Sequence, residues 1–525
     1  MIERTKQWAN AAYASARSAH PAAWLTVLGA VFFSGLFGFL GVRHHQNFGT
    51  WSYDMGIYDQ AFWLVSRGGQ SFMTVRGLEF WGHHFNPIAI LFAPFYWLGA
   101  GPGFLYVVQA TALGAGAIPV YLIARDRFSR PWVALSFVFS YLMYAPIQWI
   151  SWANFHPEAL VVTPMLFAWW FAMRLQWRAF FICVLIALCT REDTALAVIM
   201  LGLVLVIRNR RSSVRYDRWV GAIAAAVGLG WYIVTTKLII PFFNDWAQPF
   251  YIQYFYGNYG ASMPEIIANI VKRPDRVISD ATKPDRVRFY RDLLTPLGGL
   301  PLLGLLPLLI LAPQMLASVI GLSPYARQIR WQYTSVMIAP LMIASIEGAW
   351  LIWRFQVVRK ILPFYLVFSA YVSNVAWSPS PISKNYSVWS GSNGPNPRLA
   401  TLQAAIQLVP PNASVTATYT MLPQLSQREQ AYDWPNPFVP AYWGNDDCKR
   451  LPSPTTVEYI VVDRYGVGER DLPMFQAMIA PGGPFKVLLD ADNVVVAQRV
   501  STDDAVDVAP QLAACNELAA RRSDS

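Results

Sequence analysis

The sequence predicts a polytopic α-helical membrane protein of about 11 spans, followed by a C-terminal soluble α/β domain. Three observations carry this. Of 525 residues, 55% are hydrophobic and 14% charged, with a mean hydropathy of +0.31. Soluble chains carry about 25% charge, so there is too little polar surface to coat a water-soluble globule of this size. Apolar runs near the roughly 20 residues that cross a bilayer recur as far as Trp377 and then stop. The charge breaks at the same place: residues 1–376 hold 30 Lys/Arg against 16 Asp/Glu, and residues 377–525 hold 11 against 15. An ordinary cytosolic enzyme, a disordered chain and a disulfide-rich secreted scaffold are excluded on composition alone.

The first run, Trp24–Val42, follows Arg4, Lys6 and Arg17 without a convincing small-residue cleavage site. It is read as an uncleaved anchor with the N-terminus in the cytoplasm. Further runs cover 103–124, 131–149, 158–173, 179–190, 192–207, 219–240, 293–307, 308–322, 333–352 and 361–376. With the N-terminus inside, the C-terminus falls outside. Basic clusters at Arg125/Arg127/Arg130, Arg174/Arg178, Arg208–Arg218 and Arg354/Arg359/Lys360 support the assignment through the positive-inside rule. Segments 179–190 and 293–322 are short for full spans and are expected to be tilted, broken or re-entrant. The half-length run Pro87–Leu98 is placed on the outer face.

The expected organisation is a membrane domain over 1–376 with outer loops 43–86 and 241–292, a Pro- and Gly-crowded linker over 377–397, and an extracytoplasmic α/β domain over 398–525. The second outer loop contains a local echo, RPDRV at 273–277 and KPDRV at 283–287. In the tail, Arg398–Leu408 and Leu472–Ile479 have helical spacing. Ser414–Thr418 and Val457–Asp463 read as strands, and Phe485–Leu489 with Val494–Arg499 as a hairpin. Cys183 and Cys189 sit in apolar spans as packing residues. Cys448 and Cys515 lie in the outer domain, where an oxidising compartment permits a disulfide between them.

Charged groups beside spans are costly and usually mark a functional route. In this topology they converge on the outer side. The first loop reads WSYDMGIYDQAFW over 51–63, with Asp54 and Asp59 amid aromatics, and continues to WGHHFNP with His83 and His84. It suits a surface-lying helix with Trp51, Trp63 and Trp81 among the headgroups, or a carboxylate acting as base on a hydroxyl. Adjacent His83 and His84 lack the spacing of a metal pair. WANFHPEA (152–159) supplies His156 and Glu158, either as a simple helix start with Pro157 in the first turn or as site residues. TREDTA (190–195) wedges Arg191, Glu192 and Asp193 between apolar runs. SPYARQIRWQYT (323–334) adds Arg327, Arg330 and Tyr333, with Arg330 the best candidate for a specific phosphate contact. Most of the seven basic residues in Lys272–Arg291 suit ordinary anchoring to anionic lipid.

Carboxylates, histidines and arginines around aromatics suggest transfer from a phosphate-linked lipid donor. A general base would sharpen the acceptor hydroxyl, and cations would stabilise the departing phosphate. No G-x-G-x-x-G after a strand and no Walker sequence is present, which argues against a nucleotide-sugar donor or ATP-driven pumping. Basic, aromatic-interleaved stretches for nucleic acid are not apparent.

The motifs YDMGIYDQAFW (53–63), HHFNPI (83–88), FHPEAL (155–160), TREDTAL (190–196), YTSVMIAPLMIASIEG (333–348), VPPNASVTATYTMLPQLSQRE (409–429) and VEYIVVD (457–463) resemble an uncharacterised family of bacterial multi-span membrane proteins. That family resembles the GT-C glycosyltransferases, which use polyprenyl-phosphate sugars on the outer face. The resemblance implies a GT-C-like membrane domain in the plasma (inner) membrane of a bacterium. It also implies inverting transfer from a polyprenyl-phosphate-linked sugar to an envelope glycan, lipid or protein acceptor. Asp54 stands where such enzymes carry their essential first-loop acid, with Asp59 the alternative. His83, His84, His156, Glu158, Glu192, Asp193, Arg330 and Tyr333 are the candidate substrate-binding residues. The first loop lacks an adjacent Asp–Glu or Asp–Asp pair. That departure leaves open both dependence on a divalent cation and the choice between Asp54 and Asp59. The competing functions are a lipid-linked-sugar flippase, which needs polar residues near mid-bilayer and gates on both sides, and a non-catalytic envelope-binding scaffold.

Overall fold

The computed structural model describes residues 20–246, 250–443 and 448–523 and is mostly helical. Nearly every apolar run of the sequence becomes a helix. The first, Pro21–Gln46, starts on a proline, whose missing N–H costs nothing at that position, and His20 accepts from the Ala22 N–H at 3.1 Å. Its 26 residues reach ~39 Å, more than the hydrocarbon core. One face, with Leu28, Val31, Phe32 and Phe39, is exposed to the surroundings; the other, with Ala30, Phe33, Phe37 and Leu40, is buried. Gly41 allows helix Pro102–Ala115 to approach: a Cβ there would meet the Tyr106 ring at 2.3 Å.

Among the described residues, four helical segments are long and apolar enough to cross a membrane: Pro21–Gln46, Pro102–Phe128, Arg215–Phe243 and Gln332–Ile352. The pair Pro131–Leu142 and Ala145–Trp152, bent by 40°, would make a fifth. The figure of about 11 is therefore not reached by clear spans. Pro157–Met173, Trp177–Leu188, Thr194–Asn209 and Leu305–Ile320 are apolar helices of 10–17 residues. Their shortness has local causes. Three prolines, Pro296, Pro301 and Pro307, and glycines 298, 299 and 304 break the chain between Leu294 and Leu311 into single turns. Between Leu188 and Thr194 the hydroxyls of Thr190 and Thr194 both donate to the Ala187 carbonyl, at 2.7 and 2.9 Å, closing one helix where the next begins. That break carries Arg191, Glu192 and Asp193.

The first loop contains a two-residue hairpin, β1 (Phe72–Met73) with β2 (Leu78–Glu79). The tail forms a five-stranded sheet from β3 (Val415–Ala417), β4 (Ala431–Asp433), β5 (Tyr459–Asp463), β6 (Phe485–Ala491) and β7 (Val494–Arg499), in the order β4-β3-β5-β7-β6. β3 runs parallel to β4 and β5; β7 runs antiparallel to β5 and β6. The all-apolar core of β5 follows from its burial on both sides. Tyr459 and Val461 belong to the apolar cluster that also holds the first-loop residues Met55, Tyr58, Phe62 and Val75, whereas Ile460 and Val462 belong to the one that holds Phe475 and Met478 of helix Leu472–Ile479. Cys448 and Cys515 are joined by a disulfide, Cα–Cα 5.9 Å. The segment between the membrane part and the sheet is packed: Trp389 is buried against Phe37 and His44, and its indole donates to the Pro379 carbonyl at 2.7 Å.

Candidate functional site

The first loop leaves the membrane helix at Asn47 and turns at Trp51–Gly56, just before helix Ile57–Ser66. Within that turn Asp54 has φ 74° and ψ −79°, a strained γ-turn geometry that side-chain-bearing residues rarely adopt. The turn is held from both ends. The Trp51 indole reaches Asp54 Oδ2 at 3.5 Å. Ser52 donates its N–H to the Tyr419 carbonyl at 2.8 Å, and its hydroxyl lies 2.9 Å from that carbonyl and 2.6 Å from Asp433 Oδ1.

Asp54 Oδ1 lies 3.1 Å from His156 Nε2, with the imidazole 2% exposed and the carboxylate 29% exposed. The Asp54 carboxyl is thus the partly open member of a buried ion pair. Burial pushes its pKa up, but the neighbouring imidazolium outweighs this and holds it below the usual carboxylate range. His156 shows the reverse balance. Burial lowers its pKa, and Asp54, helped by Glu158, raises it above the ordinary histidine value. Behind His156, Arg191 pairs with Glu158 and Asp193, its Nε donating to Asp193 Oδ1 at 2.7 Å. His84 Nδ1 lies 2.8 Å from Glu192 Oε1, and the Phe85 N–H donates to Oε2 at 3.1 Å. The helix break at 189–193 and the His84–Phe85 stretch of the first loop are thereby locked together.

Arg330 lies over the Trp149 ring at 4.4 Å and over Trp152 at 5.5 Å. Trp152 in turn meets Trp51 edge-on at 5.5 Å, and Trp331 closes the cluster at 6.1–6.3 Å from both. The guanidinium therefore stands on the aromatic wall whose other member touches Asp54. It makes no ion pair among the described residues. Tyr333 lies within the field of Asp54, Arg191 and Glu158. Buried polar atoms with no protein hydrogen-bond partner among the described residues gather in this region: His83 Nδ1, Asn86 Oδ1, Asn154 Nδ2, His156 Nδ1, Glu158 Oε2 and Arg330 Nε. Polar atoms buried without a protein partner call for a water or another polar group to satisfy them.

Asp59 is placed differently. It is fully buried and accepts from Tyr96 Oη at 2.9 Å, Gln427 Nε2 at 3.1 Å and Ser426 Oγ at 2.7 Å. Burial pushes its pKa up to about 6 against those three donors. It clamps the loop to the tail and does not face His156. The structure thus brings Asp54, His84, His156, Glu158, Glu192, Asp193, Arg330 and Tyr333 into one region, with the His83 ring tilted against that of His84, centroids 4.5 Å apart. Sequence reasoning missed Ser52, Tyr419 and Asp433, since nothing local to 419 or 433 signals contact with residue 52. Among the described residues no three His, Cys, Asp or Glu side chains converge as a metal-ligand set.

Fold and site together define a multi-span membrane protein with a charged loop centre braced by a small α/β domain. The chain belongs to the family described as "Predicted membrane protein (DUF2079)", whose model matches residues 44–477. Sequence comparison with curated proteins gives no match. Among solved structures, ArnT from Cupriavidus metallidurans bound to undecaprenyl phosphate is similar, with a TM-score of 0.52 and 13% identity over 91% of this chain and 98% of that one. The apo state of the same ArnT gives 0.52 and 12% over 92% and 98%. At this identity the likeness is one of fold: the chain has an ArnT-like architecture over nearly its whole length.

Proposed function

We propose that this protein is a GT-C-type glycosyltransferase that moves a sugar from a polyprenyl-phosphate donor to an envelope glycan, lipid or protein on the outer face of a bacterial plasma membrane. The observation that carries the reading is Asp54: a partly exposed carboxylate in a strained turn, kept ionised by His156 and walled by aromatics that also carry Arg330. ArnT, which has this fold, is seen with undecaprenyl phosphate. In the proposed reaction Asp54 takes the proton of an acceptor hydroxyl as its oxygen attacks the anomeric carbon from the face opposite the phosphate. The carbon–oxygen bond to phosphate breaks, its electron pair leaves with polyprenyl phosphate, and configuration inverts. Arg330 meets the charge that grows on the leaving group. The unpartnered atoms of Asn154, Glu158 and His83 would receive sugar hydroxyls.

The test is conversion of polyprenyl-phosphate-linked hexose or pentose by the purified chain in vesicles. Release of free polyprenyl phosphate with a new glycosidic bond supports the transferase. Movement of intact donor between leaflets without bond cleavage would establish the flippase instead.

Two outcomes follow at single residues. Arg330→Lys keeps the charge but loses planar, bidentate contact and stacking on Trp149. Binding of undecaprenyl phosphate, read by native mass spectrometry, is expected to weaken about tenfold. His156→Gln removes the cation that offsets burial at Asp54. The Asp54 pKa then rises, so the acid limb of the kcat/KM profile moves to higher pH. An unmoved limb would separate His156 from Asp54.

A further inference from the structure

The Ser52 hydroxyl stands within hydrogen-bond range of two oxygens of the C-terminal domain, the Tyr419 carbonyl at 2.9 Å and Asp433 Oδ1 at 2.6 Å. A serine has one hydroxyl hydrogen and donates to one of them. With Asp433 ionised, the remaining contact would be two oxygens face to face with no hydrogen between. With Asp433 protonated, every contact holds one hydrogen: the carboxylic acid donates to Ser52 Oγ, and Ser52 donates to Tyr419. The surroundings fit the neutral form. Asp433 ends β4, is 9% exposed, and makes no ion pair with Lys, Arg or His among the described residues. The titratable groups around it are the phenols Tyr53, Tyr419 and Tyr442, all with raised pKa. Arg76 lies over the Tyr53 ring at 6.0 Å and over the Trp443 ring at 5.9 Å. Burial raises the Asp433 pKa to about 7.

We propose that Asp433 is a positioning residue for the reaction: as a neutral acid it donates to Ser52 and, through Ser52, locks the Trp51–Gly56 turn that holds Asp54 at positive φ. The inference rests on Asp54 being the base, and it gives the tail a part in the reaction. The strained turn is fixed from outside the membrane domain, by groups 367 and 381 residues away in sequence. Ionising Asp433 removes the donated hydrogen: the Ser52 hydroxyl then turns to the carboxylate and gives up the Tyr419 carbonyl, which keeps only the Ser52 N–H, so the full lock is present at low pH and loosens as pH rises through about 7.

The experiment uses the full chain in nanodiscs as wild type, Asp433→Asn, Asp433→Leu and Ser52→Ala, with two readouts. Infrared spectra at pH 6 are expected to show a protonated-carboxyl C=O band that Asp433→Asn lacks and that Ser52→Ala shifts. Release of polyprenyl phosphate by the wild type is expected to fall on the alkaline side with a midpoint near 7. Asp433→Asn, whose amide still donates to Ser52, rescues turnover and abolishes that limb. Asp433→Leu and Ser52→Ala lower kcat by up to about 10²-fold with donor KM unchanged. A spectrum identical in wild type and Asp433→Asn overturns the proposal, as does an Asp433→Asn variant as slow as Asp433→Leu. If the band behaves as expected while even the wild type releases no polyprenyl phosphate, the lock stands and the transferase reading falls.

Discussion

Asp54→Asn is expected to lower kcat by about 10³-fold while leaving the fold intact. The size follows from what a positioned general base contributes, roughly 10²–10⁴ in rate, when no other carboxylate can take over. Glu158 and Asp193 are bound to Arg191, Glu192 to His84, and Asp59 is enclosed by Tyr96, Ser426 and Gln427. The fold survives because Asn, like Asp, tolerates positive φ, so the turn at φ 74° keeps its shape. Asp54→Ala would confound lost chemistry with backbone strain and is the poorer test. His156, deprived of its anion, is expected to shed its proton, since burial alone lowers its pKa. The measurement is single-turnover release of polyprenyl phosphate, with undecaprenyl phosphate binding retained. Full turnover in Asp54→Asn would remove this residue from the reaction.

What the sequence disclosed and what it hid divide along physical lines. Apolar runs were legible because burial in lipid demands them, and Pro21–Gln46, Trp177–Leu188 and Thr194–Asn209 lie where hydropathy places them. The broken stretch at 190–193 was also legible, since Arg-Glu-Asp between two apolar runs has to be accommodated. Whether a run crosses fully was less so: the bend after Leu142 and the single turns over 295–311 depend on prolines and glycines whose effect is geometric. In the tail, β5, β6 and β7 carry β-branched residues in their own sequence. The three residues of β4 do not, and become a strand only by pairing with β3 through Val415↔Ala431 and its neighbours. Asp54 and Asp59 were indistinguishable because both sit in one aromatic stretch. Only the approach of Ser426 and Gln427, more than 360 residues on, separates a clamp from an open carboxylate.

The largest effect on stability is expected at Arg191. Its guanidinium, 9% exposed, joins Glu158, 1% exposed, to Asp193 at the helix break. Arg191→Met leaves two carboxylates facing each other without a cation, and breaking a buried pair in this way costs about 3–5 kcal/mol. Arg191→Lys is expected to fall between, since one ammonium cannot reproduce the fork that spans both acids. Removing the stranded charge as well, in Arg191→Met/Glu158→Gln, should recover part of the loss, and the double-mutant cycle gives the coupling directly. The pH dependence has a definite sign. Burial raises the Asp193 pKa, but Arg191 lowers it further, to a net value below the ordinary one. The pair's contribution is therefore complete above about pH 4 and is lost as acid protonates the folded form. The deficit of Arg191→Met is thus full at neutral pH and shrinks in acid, a trend that separates lost ion pairing from lost packing. The check is denaturant or thermal unfolding in detergent at pH 7 and at about pH 2, below the ordinary carboxylate pKa. A variant as stable as the parent at pH 7 would mean that solvent, and not Arg191, satisfies Glu158.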